Sequence, residues 1–307
     1  MEKSGRKEFV ITTNDRHYLP FHNPQQRTWD GPFYFIQAAD TQLGFQERCV
    51  EGRKDPGWTK EVEWTRQMVK DINKIKPRPK FLVICGDLLD AYPETLATTR
   101  LLQEEDLKKE LLSLEIPLVC VCGNHDVGDI PTPSTVASYR ASFGDDFFSF
   151  WCGGVFFLVV NSQYYQDSTK VEILAAEQEA WLEHQLEQVV HQKPKHCVVF
   201  QHIPYFISSP EEDDEYFNLP KQLRDNLLSR LYKAGVRYIF CGHYHRNAGG
   251  QYLDMEEVVT SAVGAQLGPD TNGFRIVKVL HDKVEHTYYA LGNAPTHIDL
   301  TQGTENN

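Results

Sequence analysis

The chain has no hydrophobic run long enough to cross a bilayer. Its longest apolar stretch, Val155 to Val160, is strand-sized, whereas a membrane helix needs about 18 residues or more. No apolar stretch follows the charges of Met1 to Arg6, so the start does not read as a secretory signal. No Asn-x-Ser/Thr acceptor occurs. Cysteines do not come in a pairing framework. There are seven, an odd number, at positions 49, 85, 120, 122, 152, 197 and 241. Most lie in apolar, strand-like runs, so the expectation is buried, reduced thiols in a cytosolic protein. Cys120 and Cys122 have no second pair to complete a zinc site. Positive charge is also short: 31 Lys and Arg stand against 43 Asp and Glu, a net charge of −12. That balance disfavours nonspecific nucleic-acid binding and an anionic membrane surface, although it bounds the surface and not a local pocket. Neither a G-x-x-x-x-G-K-[ST] loop nor a cysteine in a phosphate-cradling loop before a helix is found, which argues against two common phosphate chemistries.

What is present is a globular mixture of 41% hydrophobic and 24% charged residues over 307 positions. A chain of this length buries about 75% of its unfolded surface, enough core to need no disulfide or metal staple. Residues 1–30 are polar and aperiodic and read as an arm or a surface strip. From Gly31 onward the pattern alternates. Phe33 to Ala39 reads as a buried strand ending at Asp40. A loop-like stretch over 41–57 precedes a helix from Trp58 to Lys76, stopped by Pro77. Phe81 to Cys85 is a strand running into Gly86-Asp87, a helix follows over 98–115, and Pro117 to Cys122 runs into Gly123-Asn124-His125-Asp126. Thr132-Pro133 starts a helix, and Phe147 to Trp151 with Val155 to Asn161 reads as a hairpin. Helices at 175–190 and 220–234 precede the strands Cys197 to Gln201 and Tyr238 to Cys241. The end is strand-rich, at Val258 to Ala262, Phe274 to Leu280 and Lys283 to Leu291. This order predicts an α/β layered domain over 31–291 with a polar tail over 292–307.

Five strands end in a metal-capable or proton-active group: Asp40-Thr41-Gln42, Gly86-Asp87-Leu88-Leu89-Asp90, Gly123-Asn124-His125-Asp126, His202, and Gly242-His243-Tyr244-His245. Strand ends of an open sheet present side chains in the crevice where ligands bind. Each element alone has a bland explanation: a strand-end carboxylate, an ordinary turn, a structural histidine. The conjunction does not. Carboxylate, amide and imidazole together suit divalent Mn, Fe or Zn, and a two-metal site needs one bridging carboxylate, for which Asp87 is the natural choice.

This order resembles the calcineurin-like metallophosphoesterase family over roughly residues 33–245. The resemblance implies a four-layer α-β-β-α sandwich, two central mixed sheets flanked by helices, with two divalent cations between the sheet edges. Asp40, Asp87 and His245 would hold one cation, and Asp87, Asn124, His202 and His243 the other. His125 would donate a proton to the leaving group, oriented by Asp126. The metals would clamp the phosphate and activate a water as hydroxide for in-line attack. A closer likeness to one vertebrate member of the family, carried by Gly31 to Ile36, Gly144 to Trp151 and His243 to Gly250, implies a cytoplasmic protein serine/threonine phosphatase acting on a phosphoprotein, protein kinase B, with no nucleic-acid or membrane partner.

The family usually has His where this chain has Gln42, a weaker, neutral ligand that either completes the first metal site or holds a water. Asp90 has no assigned part beyond orienting a ligand. Arg246 and Asn247 could reach a substrate phosphate; a local salt bridge is the even alternative for Arg246. The acidic run Glu211 to Glu215 reads as a solvated loop, and Tyr164 and Tyr165 as packing. Two other functions fit the same residues: a phosphodiesterase for a cyclic nucleotide, and a metal-bound scaffold without turnover. A nuclease is disfavoured by the charge.

Overall fold

The computed structural model describes residues 8–301. The strands are β1 (Thr13–Asn14), β2 (His17–Tyr18), β3 (Phe33–Ala38), β4 (Leu82–Cys85), β5 (Leu118–Val121), β6 (Phe148–Cys152), β7 (Val155–Val159), β8 (Cys197–Phe200), β9 (Tyr238–Cys241), β10 (Ala248–Tyr252), β11 (Met255–Val259), β12 (Gly273–Val279) and β13 (Val284–Ala290). The helices are α1 (Thr59–Lys74), α2 (Ala97–Leu111), α3 (Asn124–Val127), α4 (Pro133–Phe143), α5 (Gln163–Gln166), α6 (Glu172–Gln192) and α7 (Lys221–Ala234).

These strands form two mixed sheets. One has eight strands in the order β1-β2-β6-β7-β8-β9-β11-β10, the other five in the order β13-β12-β3-β4-β5. Strands β3, β4 and β5 pair in parallel, as do β7, β8 and β9. Parallel strands of this kind are covered on both faces and therefore read as unbroken apolar runs, as Leu82–Cys85 and Val155–Val159 do.

The side chains nevertheless alternate between two distinct cores. Phe35, Phe81, Val83 and Val119 of the five-stranded sheet face Phe150, Phe157, Phe200 and Phe240 of the other. The rings interlock: Phe35 stacks on Phe81 at 4.8 Å between centroids and meets Phe200 edge-on at 5.6 Å. The alternate residues face outward onto helices. Ile36, Ile84 and Cys120 pack with Met68 and Ile72 of α1 and Leu107 of α2, while Leu158, Val199 and Ile239 pack with Leu182 of α6 and Leu228 of α7. Helix, sheet, sheet, helix is thus the order of the layers, as expected.

Helix ends follow local chemistry. Thr132 accepts a hydrogen bond from Thr135 N at 3.2 Å ahead of Pro133, which starts α4. Gly235 at φ +109° closes α7.

The N-terminal stretch departs from the expected arm. Within it, β1 and β2 extend the eight-stranded sheet through β6. Tyr18 is buried in the inter-sheet core, its hydroxyl donating to Leu118 O at 2.9 Å. In the polar tail, Ile298 is buried beside Lys76, and residues 302–307 lie outside the described ones, as do residues 1–7. Strand β10, unmarked by any apolar run, was not expected.

Candidate metal centre

Parallel β3, β4 and β5 in one sheet and β8 and β9 in the other deliver their carboxyl ends to one cleft. Asp40 leaves β3, Asp87 leaves β4, Asn124 and His125 follow β5, His202 follows β8, and His243 and His245 follow β9. Asp87, His202 and His243 bring ligand atoms within 4.8 Å of one another, and so do Asp40, Asp87 and His245. Asp87 belongs to both groups, and all five side chains are buried. The structure therefore brings together the residues of the two sets that the family resemblance implied, with Asn124 Oδ1 3.2 Å from His202 Nε2.

The glycines of the three motifs are needed because the strand ends approach closely, across the two sheets at Gly86 and Gly242 and within the five-stranded sheet at Gly123. A Cβ on Gly86 would fall on the His202 ring, and one on Gly123 on the Asp87 carboxylate. A Cβ on Gly242 would stand 2.6 Å from Asp40 Oδ2 and 2.7 Å from Cys85 O. The backbone is strained as well. Asp40, Gln42, Asp87, His243 and His245 all have positive φ, a conformation costing on the order of 1–3 kcal/mol for a side chain of this size. Strain of this kind collects where function requires it.

Every histidine here is held the same way: one ring nitrogen donates to a main-chain carbonyl, which turns the other nitrogen into the cleft. His202 Nδ1 bonds Cys85 O at 2.8 Å, leaving Nε2 facing Asp87 Oδ2 at 3.3 Å. His243 Nε2 bonds Tyr216 O at 3.2 Å, and its Nδ1 lies 3.2 Å from His202 Nε2. His245 Nδ1 bonds Ala265 O at 2.5 Å, and its Nε2 is 3.5 Å from Asp40 Oδ1. Such carbonyl partners fix the tautomer of metal-binding imidazoles. Asn124 is oriented likewise: its Nδ2 donates to Asp129 Oδ1 at 2.9 Å, so Oδ1 points at His202.

Protonation follows from burial and neighbours. Burial, reinforced by the neighbouring His202, pushes His243 down to about 3. Burial likewise pushes His245 down to about 4, so both rings are neutral and keep a lone pair to give. Burial opposes charge on Asp87 too, but His202 and His125 beside it hold its carboxyl well below the usual range. His202 is correspondingly raised to about 9 by Asp87 against the cost of burial. Burial raises Asp40, with Asp87 adding to the shift and His202 opposing it.

The donor set fits divalent cations. It is made of carboxylate oxygen, amide oxygen and imidazole nitrogen, neutral in His243 and His245. It also contains an orphan: Gln42 Oε1 is buried without a partner, while Nε2 donates weakly to Asp90 Oδ1 at 3.4 Å. An unmet buried acceptor costs about 1–3 kcal/mol, which a cation or its water would relieve.

Three sequence expectations are corrected. Asp126 does not orient His125. Its carboxylate accepts from Leu88 N and Gly123 N and pairs with buried Arg100, fixing the turns that carry Asp87 and Asn124. The His125 ring is held instead by Asp90, whose main-chain oxygen accepts from Nδ1 at 2.7 Å; Nε2 has no partner among the described residues. Arg246 does not reach the cleft: its guanidinium lies over Tyr244 and donates to Tyr244 O and Leu267 O. The Asn247 Oδ1 accepts from Arg275 Nη2, while its backbone N–H donates to Asp270 Oδ2. The acidic run does lie on a loop after His202, where Glu212 accepts from three successive backbone N–H groups, Ile207 to Ser209.

The cleft above the ligands measures about 260 Å³. Its walls include residues the sequence did not mark: Phe45 and Arg48 from the turn after Gln42, Tyr92, and Tyr216 with Phe217 from the loop after His202. No strand ends at these positions, so the pattern that revealed the ligands could not reveal them.

Residues 34–247 match the calcineurin-like phosphoesterase family. The chain is 48% identical to the serine/threonine-protein phosphatase CPPED1 of Bos taurus over 276 residues, 88% of each chain. It is 47% identical to the same phosphatase of Homo sapiens over 282 residues, 90% of this chain and 89% of that one. In fold it is similar to a dimetal phosphatase from Danio rerio, with TM-score 0.58 and 16% identity, covering 86% of this chain and 100% of that one. Among the described residues no helix is long and apolar enough to cross a membrane.

Proposed function

The chain belongs to the calcineurin-like phosphoesterase family, and we propose that it removes phosphate from phosphoserine and phosphothreonine of protein substrates, protein kinase B among them, at the cleft around Asp87. Asp40, Asp87 and His245 would hold one divalent cation, and Asp87, Asn124, His202 and His243 a second, of the Mn, Fe or Zn type. When bound, such a pair clamps phosphate oxygens and lowers the pKa of a water toward about 7. The chain itself positions and protonates. His125, with Nδ1 bonded to the Asp90 carbonyl and Nε2 open to the cleft, gives the proton to the departing serine or threonine oxygen. Acid catalysis of this kind is worth about 10²–10⁴-fold. Phe45, Tyr92, Tyr216 and Phe217 form the apolar and aromatic walls against which the peptide lies.

The observation that carries the reading is Asp87, a single buried carboxylate shared by two ligand groups, with the His125 Nε2 beside them unpartnered among the described residues. The names of the curated relatives support a protein substrate, and seven unpaired thiols support the cytoplasm as its location.

The test is initial-rate hydrolysis of a phosphoserine peptide by chelator-stripped protein, with and without added Mn, beside Asp87→Asn. Activity restored by metal in the intact protein and absent from the variant is the expected result. Turnover of a cyclic nucleotide but not of the peptide would replace the reading by a diesterase, and metal binding without turnover of either would replace it by a scaffold.

A further inference from the structure

Arg48 stands on the short π-helical turn Gln46–Val50 and is the one Arg or Lys among the described residues lining the cleft. It is held by a fork. Its Nε and Nη2 donate to the two carboxylate oxygens of Asp90 at 2.5 and 2.7 Å. Asp90 is buried, while the Arg48 side chain keeps 35% of its exposure. Its Nη1 has no hydrogen-bond partner among the described residues. Behind it, Asp90 touches His125 twice, through the main-chain oxygen and through Oδ1 at 3.6 Å from Nδ1. Below it, the Arg48 guanidinium carbon lies 5.6 Å from the Phe45 ring centre, and that ring packs 4.8 Å from His245. Arg48 is thus a cation braced between the proton donor and one ligand group, with donors left over.

A phosphomonoester brings a charge of about −1.5 to −2 and three acceptor oxygens. The cation pair proposed above would draw it in, and among the described residues no lysine or second arginine lines the cleft to add to that attraction. A guanidinium whose geometry is already fixed loses little freedom on binding an oxyanion, and the N–H groups left over from Asp90, those of Nη1 and the second one of Nη2, can donate to phosphate oxygens. We infer that Arg48 binds the phosphate of the substrate and favours the monoester dianion over a singly charged diester. This rests on the phosphatase reading above. It gives Arg48 the part that the sequence suggested for Arg246, which does not line the cleft.

The experiment uses the full-length, Mn-loaded protein with Arg48→Ala, Arg48→Lys and Arg246→Ala. Calorimetry measures inorganic phosphate binding, which needs no turnover, and kinetics gives KM and kcat for a phosphoserine peptide and for a phosphodiester. Hydrogen bonds to a charged group correspond to roughly tenfold or more in affinity. Arg48→Ala should weaken phosphate binding and raise the peptide KM by about tenfold each, with the diester KM little changed. Arg48→Lys should recover part of the loss, and Arg246→Ala should behave as the unaltered protein. Should Arg48→Ala be poorly folded by circular dichroism, Arg48→Gln serves in its place. Unchanged phosphate affinity with a lowered kcat would overturn the inference, leaving Arg48 as a brace for Asp90 and His125. Phosphate binding that depends on Arg48 in a protein without phosphatase activity would keep the contact and overturn the phosphatase reading instead.

Discussion

The two sheets contribute differently to the centre. The five-stranded sheet supplies the oxygen donors, Asp40, Asp87 and Asn124, together with His125, the proposed proton donor. The eight-stranded sheet supplies only imidazoles, His202, His243 and His245. Oxygen donors thus sit on one edge and imidazole nitrogens on the other. Neither sheet alone assembles a ligand group of three, so the centre exists only while the phenylalanine-rich core holds the edges together.

Breaking the oxygen side should cost most. Asp87→Asn removes the carboxylate common to both groups, so metal analysis of the purified variant should find both cations lost and activity absent. His245→Ala removes a ligand of one group only, so about half the metal should stay. Equal losses in the two variants would contradict the sharing of Asp87. His125→Ala leaves both ligand groups intact, and turnover should fall by about 10²–10⁴-fold with metal content nearly unchanged. Loss of metal there would mean that His125 is a ligand. The junction itself is tested by Phe200→Ala. This ring packs on Phe35 and Phe157 with no exposure, and its loss should lower unfolding stability by about 3–5 kcal/mol in a denaturant titration. The smallest effect belongs to Arg246→Ala, whose peptide KM should stay within about twofold, since the side chain serves a surface loop and surface changes cost little.

Residues whose chemistry ends an apolar strand were legible in the sequence. Asp87, Asn124, His125, His202, His243 and His245 each follow such a run, and the strand positions β3 to β9 emerged from the same runs with small boundary differences. What escaped lacked that punctuation. Tyr18 belongs to a strand of two residues, too short for any period to show. Arg48 lies on a single irregular turn. Asp126 was misread for a different reason: it is next to His125 in sequence, yet in helix α3 adjacent residues do not face each other, and its carboxylate points back to Gly123 and Leu88. Arg246 was misread because a guanidinium beside a ligand suggests phosphate, while its donors had nearer carbonyls to satisfy.

The left-handed backbone at Asp40, Asp87, His243 and His245 has a consequence for protein engineering. A search for heat-resistant variants that scores only survival of the fold would be drawn to these positions, because glycine adopts such a conformation without penalty and replacing them relieves strain. Each gain found there would dismantle the centre. Selection for thermal tolerance in this protein therefore has to be coupled to a screen for turnover from its first round, or be confined to the helical layers, where packing and catalysis do not compete for the same residues.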